Sequence, residues 1–157
     1  MRVRDAAAPD VDRLADIWYE GWRDAHLDIL PPELARYRTR ESFHERLVRD
    51  LPMVRVVGPP GAPLGFCMIR DDELYQLYVD ASVRGQGSAA VLLADAEAQL
   101  AARGVETAWL ACAIGNDRAA RFYEKHGWMR AATVRTPVEI PDGVFPLEVW
   151  RYEKRLG

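Results

Sequence analysis

The chain has 157 residues, a formal net charge of −3, 49% hydrophobic residues and 29% charged residues. These values predict one globular domain over residues 1–157 with a substantial core. The acidic balance and the lack of a lysine-rich tract argue against a nucleic-acid partner, and no apolar run reaches the roughly 20 residues that span a membrane.

Cysteine usage and the N-terminus indicate the compartment. Cys67 and Cys112 lie in apolar runs, so we expect two buried free thiols. No hydrophobic stretch follows the N-terminal arginines, so no signal peptide is expected. We therefore predict a cytoplasmic protein, and one without a metal, since no Cys/His cluster has metal-ligand spacing.

The first third of the chain is predicted to be mainly helical. After a short N-terminal strand, apolar residues recur at helical spacing over Val11–Trp22. Pro31-Pro32 then interrupts the chain before a second helix, which is capped by Thr39 or Ser42. The charged side chains of this second helix are interpreted as a solvated face: Arg40, Glu41, Glu45, Arg46 and Arg49.

The middle of the chain is predicted to fold into a meander and a crossover. Strands over 53–57, 64–70 and 73–79 are joined by short turns, which favours antiparallel pairing. A glycine loop leads into a helix over 89–103. The apolar run 106–114 resembles a strand buried on both faces, and the strand–helix–strand order predicts that it runs parallel to 73–79.

The last third is predicted to contain one helix and two strands. Asn116 or Asp117 caps a helix over 118–126, and Gly127 ends it. A strand over 128–135, a loop over 136–145 and a strand over 147–154 follow. The predicted class is α+β, with a mixed, largely antiparallel sheet that contains one parallel pair and is flanked by about four helices.

The loop from Arg84 to Ala89 is typical of an anion site. It lies where a helix begins, and the first N–H groups of a helix have no intrahelical partner. Gly85 and Gly87 allow an anion to approach the backbone, and Arg84 adds a cation. A tight turn with a solvated arginine is the structural alternative. No Lys-Ser or Lys-Thr follows, so this is not a P-loop, and the mid-chain position disfavours a dinucleotide-binding fold.

A second motif runs from Asn116 to Trp128 and reads Asn-Asp-Arg-Ala-Ala-Arg-Phe-Tyr-Glu-Lys-His-Gly-Trp. Alone, it predicts only a capped helix. Together with Arg84-Gly-Gln-Gly-Ser-Ala89 it resembles the GNAT superfamily of acyl-CoA-dependent N-acyltransferases. The signatures of that superfamily are Gln/Arg-x-x-Gly-x-Gly/Ala and Asn-x-x-Ala-x-x-Phe-Tyr-x-x-x-Gly-Phe, and Trp128 replaces the last phenylalanine. The resemblance is strong over residues 53–135.

This resemblance implies acetyl-CoA as co-substrate and no metal. It implies that backbone groups of one strand hold the pantetheine arm, that the glycine loop holds the pyrophosphate, and that the second motif contacts the other side. The cofactor-binding residues implied in this way are Leu77, Tyr78, Val79, Arg84, Gly85, Gln86, Gly87, Ser88, Ala89, Asn116, Ala119 and Tyr123.

The resemblance also suggests catalytic groups. Tyr123 matches the tyrosine that protonates the departing thiolate, since a phenol stays protonated at neutral pH. A backbone N–H near Val79 is suited to contact the thioester oxygen. Glu73 lies where some relatives carry a glutamate base, although an exposed residue after a turn is the alternative interpretation.

The acceptor is predicted to be the primary amine of a small molecule, which attacks acetyl-CoA directly in a ternary complex. Trp22, His26 and Glu139 are the candidate substrate contacts. A protein or peptide N-acetyltransferase stays open, although relatives that acetylate ribosomal proteins carry a glutamate where this chain has Ala111. A non-catalytic acyl-CoA sensor is the other alternative. Relatives are often dimers, so a homodimer is one expected assembly.

Overall fold

The computed structural model describes all 157 residues and confirms the predicted α+β class. The five helices span Val11–His26 (α1), Pro32–Ala35 (α2), Arg40–Asp50 (α3), Ser88–Ala102 (α4) and Asp117–Lys125 (α5). The seven strands span Val3–Asp5 (β1), Val54–Val57 (β2), Gly65–Arg70 (β3), Glu73–Val79 (β4), Thr107–Ala113 (β5), Met129–Ile140 (β6) and Gly143–Arg155 (β7). None of the helices has the length and apolar character needed to cross a bilayer.

The strands form one sheet in the order β1-β2-β3-β4-β5-β7-β6. The predicted meander is confirmed, because β2, β3 and β4 pair antiparallel in sequence. The crossover through α4 is also confirmed, and β4–β5 is the parallel pair of the sheet.

The two parallel strands separate almost as soon as they meet. Glu73 pairs with Trp109, and this is the single residue pair in the β4–β5 ladder. From there to Val79, β4 keeps only its β3 partner, so one backbone edge of the strand is left open. An open strand edge presents N–H and C=O groups to whatever lies beside it.

Apolar residues pack on both faces of the sheet. Successive residues of β3 alternate between the faces, so Phe66 packs with Trp18 and Phe43 of the first two long helices, whereas Cys67 packs under α4. Both cysteines are buried and free, as predicted.

The loop predicted over 136–145 is wrong, because β6 and β7 form one long hairpin that turns at Pro141 and Asp142. Proline has no N–H group to donate to a β-ladder, so the prolines of residues 136–145 favoured a loop over a strand. Here Pro137 faces Pro146 at the outer end of the hairpin. At that end β6 is the edge strand and β7 has passed the end of β5, so no other strand needs the missing N–H groups.

Two further expectations were wrong. β5 is buried on one face only, since Thr107 and Ala111 are exposed while Ala108 and Leu110 are buried. Arg46 does not belong to a solvated face, because it is only 8% exposed and its guanidinium stacks on Trp18, 4.5 Å from the ring centre.

Candidate active site

Two cavities lie on either side of Tyr78. The first has a volume of about 560 Å³ and is lined mainly by the end of β4, the loop before α4, and α5. It collects every predicted cofactor-binding residue except Gln86, whose side chain instead donates to the carbonyl of Ser82 at 3.4 Å. Its lining also includes residues that sequence analysis missed: Gly21, Ala25, Val83, Ala90, Arg118, Phe122, Lys125 and His126.

The loop of the first cavity has the geometry of an anion cradle. Gly85 and Gly87 have φ values of +79° and +87°, and a Cβ at either would meet nothing within 4 Å, so the space in front of the backbone is open. The first intrahelical hydrogen bond of α4 is donated by Val91 to Gly87, which leaves the N–H groups of residues 87–90 free, whereas those of Arg84 and Gln86 are bonded within the loop. The buried hydroxyl of Ser88 also has no partner in the protein. These donors fit a diphosphate.

Arg84 lies at the edge of this cradle. Its guanidinium pairs with Asp24 of α1 at 3.1 Å, and both side chains are substantially exposed. An exposed ion pair of this kind contributes little stability, so the cation remains available to a phosphate group.

Opposite the loop, α5 begins at Asn116. Its side-chain oxygen caps the helix by accepting from the Ala119 N–H at 3.3 Å, as the sequence predicted, and its amide nitrogen stays available to a ligand. The open edge of β4 and the first turn of α5 thus enclose a channel lined by peptide groups.

Tyr123 projects from α5 into the first cavity, and its ring packs edge-on against Phe122 and Trp128. Burial raises the pKa of Tyr123 above its usual value. The phenol therefore stays protonated at neutral pH, and its hydroxyl makes no hydrogen bond within the protein. A proton held there can pass to sulfur as negative charge develops on the leaving thiolate.

The second cavity has a volume of about 350 Å³ and lies on the other side of Tyr78. It brings together Glu73 and all three predicted substrate contacts: Trp22, His26 and Glu139. These residues come from α1, β4 and β6, so the cavity is a product of the tertiary fold. Pockets of this size are at the lower end of the range for small-molecule sites.

Glu73 is a buried carboxyl rather than an exposed turn residue. Its side chain is 13% exposed, and its nearest cation is Arg70 at 4.0 Å. Burial raises the pKa of Glu73 to about 7, and Arg70 only partly opposes the shift. A carboxyl that titrates near neutrality, in a cleft, suits a general base.

The predicted substrate contacts differ in charge. Burial lowers the pKa of His26 to about 4, so the imidazole is neutral, and it lies against Trp22. Glu139 is on β6 rather than in a loop, and it is ion-paired with Arg49. Arg49 lowers the pKa of Glu139, so this carboxylate stays ionised and remains paired with Arg49.

Sequence analysis missed the two buried arginines of the second cavity. Arg38 is 7% exposed and Arg46 is 8% exposed. The spacing of Arg46 from Phe43 places both on one helix face and could have indicated its burial. Arg38 follows α2, in a segment without periodicity, and nothing local could have indicated its position.

The cysteines do not provide a nucleophile. Burial raises the pKa of Cys67 to about 12 and that of Cys112 to about 11. Both thiols are therefore protonated at neutral pH, and neither lines either of the two cavities described above.

The fold and the cradle define an acyl-CoA-dependent acetyltransferase. The model of the Acetyltransferase (GNAT) family matches residues 11–128, so the chain belongs to this family, which transfers acetyl groups from acetyl-CoA. No curated protein matches the chain.

Solved structures share the fold over nearly the whole chain. A GCN5-related N-acetyltransferase from Rhodopseudomonas palustris has a TM-score of 0.75 and 22% identity, with 99% of this chain and 95% of that chain covered. PaiA N-acetyltransferase from Thermoplasma acidophilum, in complex with coenzyme A, has a TM-score of 0.71 and 18% identity, with 98% of each covered. Ribosomal-protein-alanine N-acetyltransferase from Brucella melitensis has a TM-score of 0.68 and 19% identity, with 99% and 100% covered.

Proposed function

We propose that the protein acetylates the primary amine of a small molecule, by direct attack of the amine in a ternary complex with acetyl-CoA. The observation that carries this proposal is the meeting of the two cavities at Tyr78, with Tyr123 on one side and Glu73 on the other. The small volume of the second cavity, about 350 Å³, favours a small acceptor over a protein. The protonated thiols favour direct transfer over an acyl-enzyme.

Different residues bind acetyl-CoA and activate the acceptor. The amides at the start of α4 and the Ser88 hydroxyl hold the diphosphate, and the open edge of β4 with Asn116 holds the arm. Bound acetyl-CoA supplies an acetyl group activated as a thioester. Glu73 accepts a proton from the acceptor ammonium, directly or through water, so that the nitrogen lone pair forms the new N–C bond. A backbone N–H near Val79 donates to the carbonyl oxygen. Tyr123 gives its proton to sulfur as the C–S bond breaks, and the second proton that the nitrogen loses in becoming an amide restores the Tyr123 phenol.

Two measurements test this function. Calorimetric titration with coenzyme A is expected to give saturable binding, and its absence would contradict the assignment of the first cavity. Thiol release from acetyl-CoA is then measured with a panel of small primary amines and with peptides that have free N-termini. Turnover with small amines supports the proposal, turnover with peptides alone indicates a peptide acetyltransferase, and binding without any turnover indicates a sensor.

A further inference from the structure

The second cavity contains a buried positive charge without a counterion. Arg38 is only 7% exposed, and no carboxylate lies within ion-pair distance of it. Burial lowers the pKa of Arg38 to about 10, with Arg46 adding to the effect, and the side chain is still charged at neutral pH. A buried unpaired charge is costly, so an anion is expected to bind there.

The other charges of this cavity compensate Arg38 only in part, because Glu139 attracts it from beyond ion-pair distance. Both oxygens of Glu139 accept hydrogen bonds from Arg49. Arg46 donates to the Tyr75 hydroxyl at 2.8 Å, while its buried Nε–H has no hydrogen-bond partner and lies 3.6 Å from Glu139. Glu73 titrates near neutrality and faces the exposed Arg70, and His26 is neutral. Two adjacent guanidinium groups thus offer unused donors to the cavity.

We infer that the acceptor is an amine that also carries a carboxylate, and that Arg38 and Arg46 bind this carboxylate. This inference rests on the proposed function and names its substrate class. The planar fork of an arginine matches the two oxygens of a carboxylate. The amine of the same molecule is then directed toward Glu73 and Tyr78, where the two cavities meet. The lining also includes aromatic and aliphatic side chains such as those of Trp22, Leu34 and Val149, so we expect amino acids with apolar side chains as acceptors.

The test compares acceptors that differ only in this charge. Initial rates are measured with leucine and phenylalanine and with their carboxamides, at several pH values, and kcat/KM is expressed per free amine because the two amines have different pKa values. The wild-type protein is expected to prefer the amino acid over its amide by about tenfold or more, the effect of one charge-assisted hydrogen bond. Equal rates for acid and amide would overturn the inference and leave the proposed function standing.

Three variants test whether Arg38 causes the preference for the amino acid over its amide. Arg38→Met is expected to bring the acid-to-amide ratio close to 1 without changing the affinity for acetyl-CoA. Arg36→Met, which removes an exposed arginine two residues away, is expected to keep the ratio. Arg38→Lys keeps the charge but not the fork, and is expected to keep part of the preference. An unchanged ratio in Arg38→Met would overturn the role of Arg38.

A binding measurement keeps the inference testable if no amine is turned over. N-acetylleucine and N-acetylleucinamide are titrated by calorimetry into the protein saturated with coenzyme A. Tighter binding of the acid, lost in Arg38→Met and kept in Arg36→Met, supports the carboxylate site even if the transferase proposal fails. Equal binding of acid and amide, or binding of neither, overturns it.

Discussion

The two cavities that meet at Tyr78 are built in different ways. The first is lined by 19 residues, among which Gly and Ala predominate along the loop and around the start of α4, so that peptide groups form much of its surface. The second is lined by 22 residues, most of them from eight helices and strands, with large aromatic rings, three arginines and two glutamates. A backbone site recognises what every member of a family binds, whereas a side-chain site is specific to one protein.

Tyr123→Phe should produce the largest change in rate. Loss of the phenolic proton is expected to lower kcat by about two to three orders of magnitude, because the thiolate would leave unprotonated. The dissociation constant of acetyl-CoA should stay nearly unchanged, since the backbone cradle is intact. Steady-state thiol release and calorimetry measure the two quantities.

Tyr78→Phe is the matched control for that experiment, because Tyr78 is also a buried phenol beside the first cavity. It is expected to change kcat only a few-fold. A large loss in Tyr78→Phe with none in Tyr123→Phe would assign the proton donor to the residue shared by both cavities.

Glu73→Gln should have the next largest effect, about 10- to 100-fold on kcat/KM at neutral pH. The pKa of Glu73 is raised to about 7, and a base must be deprotonated, so the wild-type rate should fall as the pH drops below 7. The ratio of wild-type to variant kcat/KM cancels the titration of the amine itself. It should rise up to about pH 7 and then level off.

A ratio that is flat between pH 5 and pH 9 would remove Glu73 from the role of base. Glu45→Gln, which changes an exposed glutamate of α3, serves as the control and should give a ratio near 1 throughout.

Gly21→Ala tests the wall between the cavities. A Cβ at Gly21 would lie 2.6 Å from Cδ1 of the Tyr78 ring, far inside contact distance. Alanine ordinarily stabilises a helix by about 1 kcal/mol relative to glycine, whereas overpacking a core costs about 1–3 kcal/mol. We expect a net loss of stability in thermal melts and a higher KM for both substrates.

The clash can be separated from the helix effect in a Tyr78→Leu background. With the ring removed, Gly21→Ala should raise the melting temperature instead. If Gly21→Ala raises the melting temperature of the protein that retains Tyr78, the Tyr78 ring moves aside without a loss of stability.

The smallest effect is expected for Arg84→Met, about three- to tenfold in the affinity for acetyl-CoA, because Arg84 is exposed and its charge is screened. Acetylpantetheine, which lacks the diphosphate, is the control ligand and should be unaffected. Equal weakening of both ligands would show that Arg84 does not act through phosphate.

The same difference between the cavities explains what could be predicted from the sequence. The cradle depends on Gly85, Gly87 and a helix start that are adjacent in sequence, so the motif predicts the site. The position of Arg38 depends on the packing of α1 and α3 beneath a distant hairpin, and no local pattern encodes it. The loop predicted over 136–145 was wrong for a related reason, since Pro137 is tolerated in a strand only because it lies at the outer end of the sheet.

The hairpin of β6 and β7 extends past the last residue of β5, so residues 143–148 pair with β6 alone. This overhang carries Glu139 and Leu147 to the second cavity while contributing nothing to the coenzyme cradle. Under the proposed function, substitutions of its cavity-lining residues are expected to change which amines are accepted without touching the coenzyme cradle. This overhang is therefore a segment through which the choice of amine can change in evolution while the catalytic groups stay the same. It is also the segment to exchange when a different amine specificity is to be engineered.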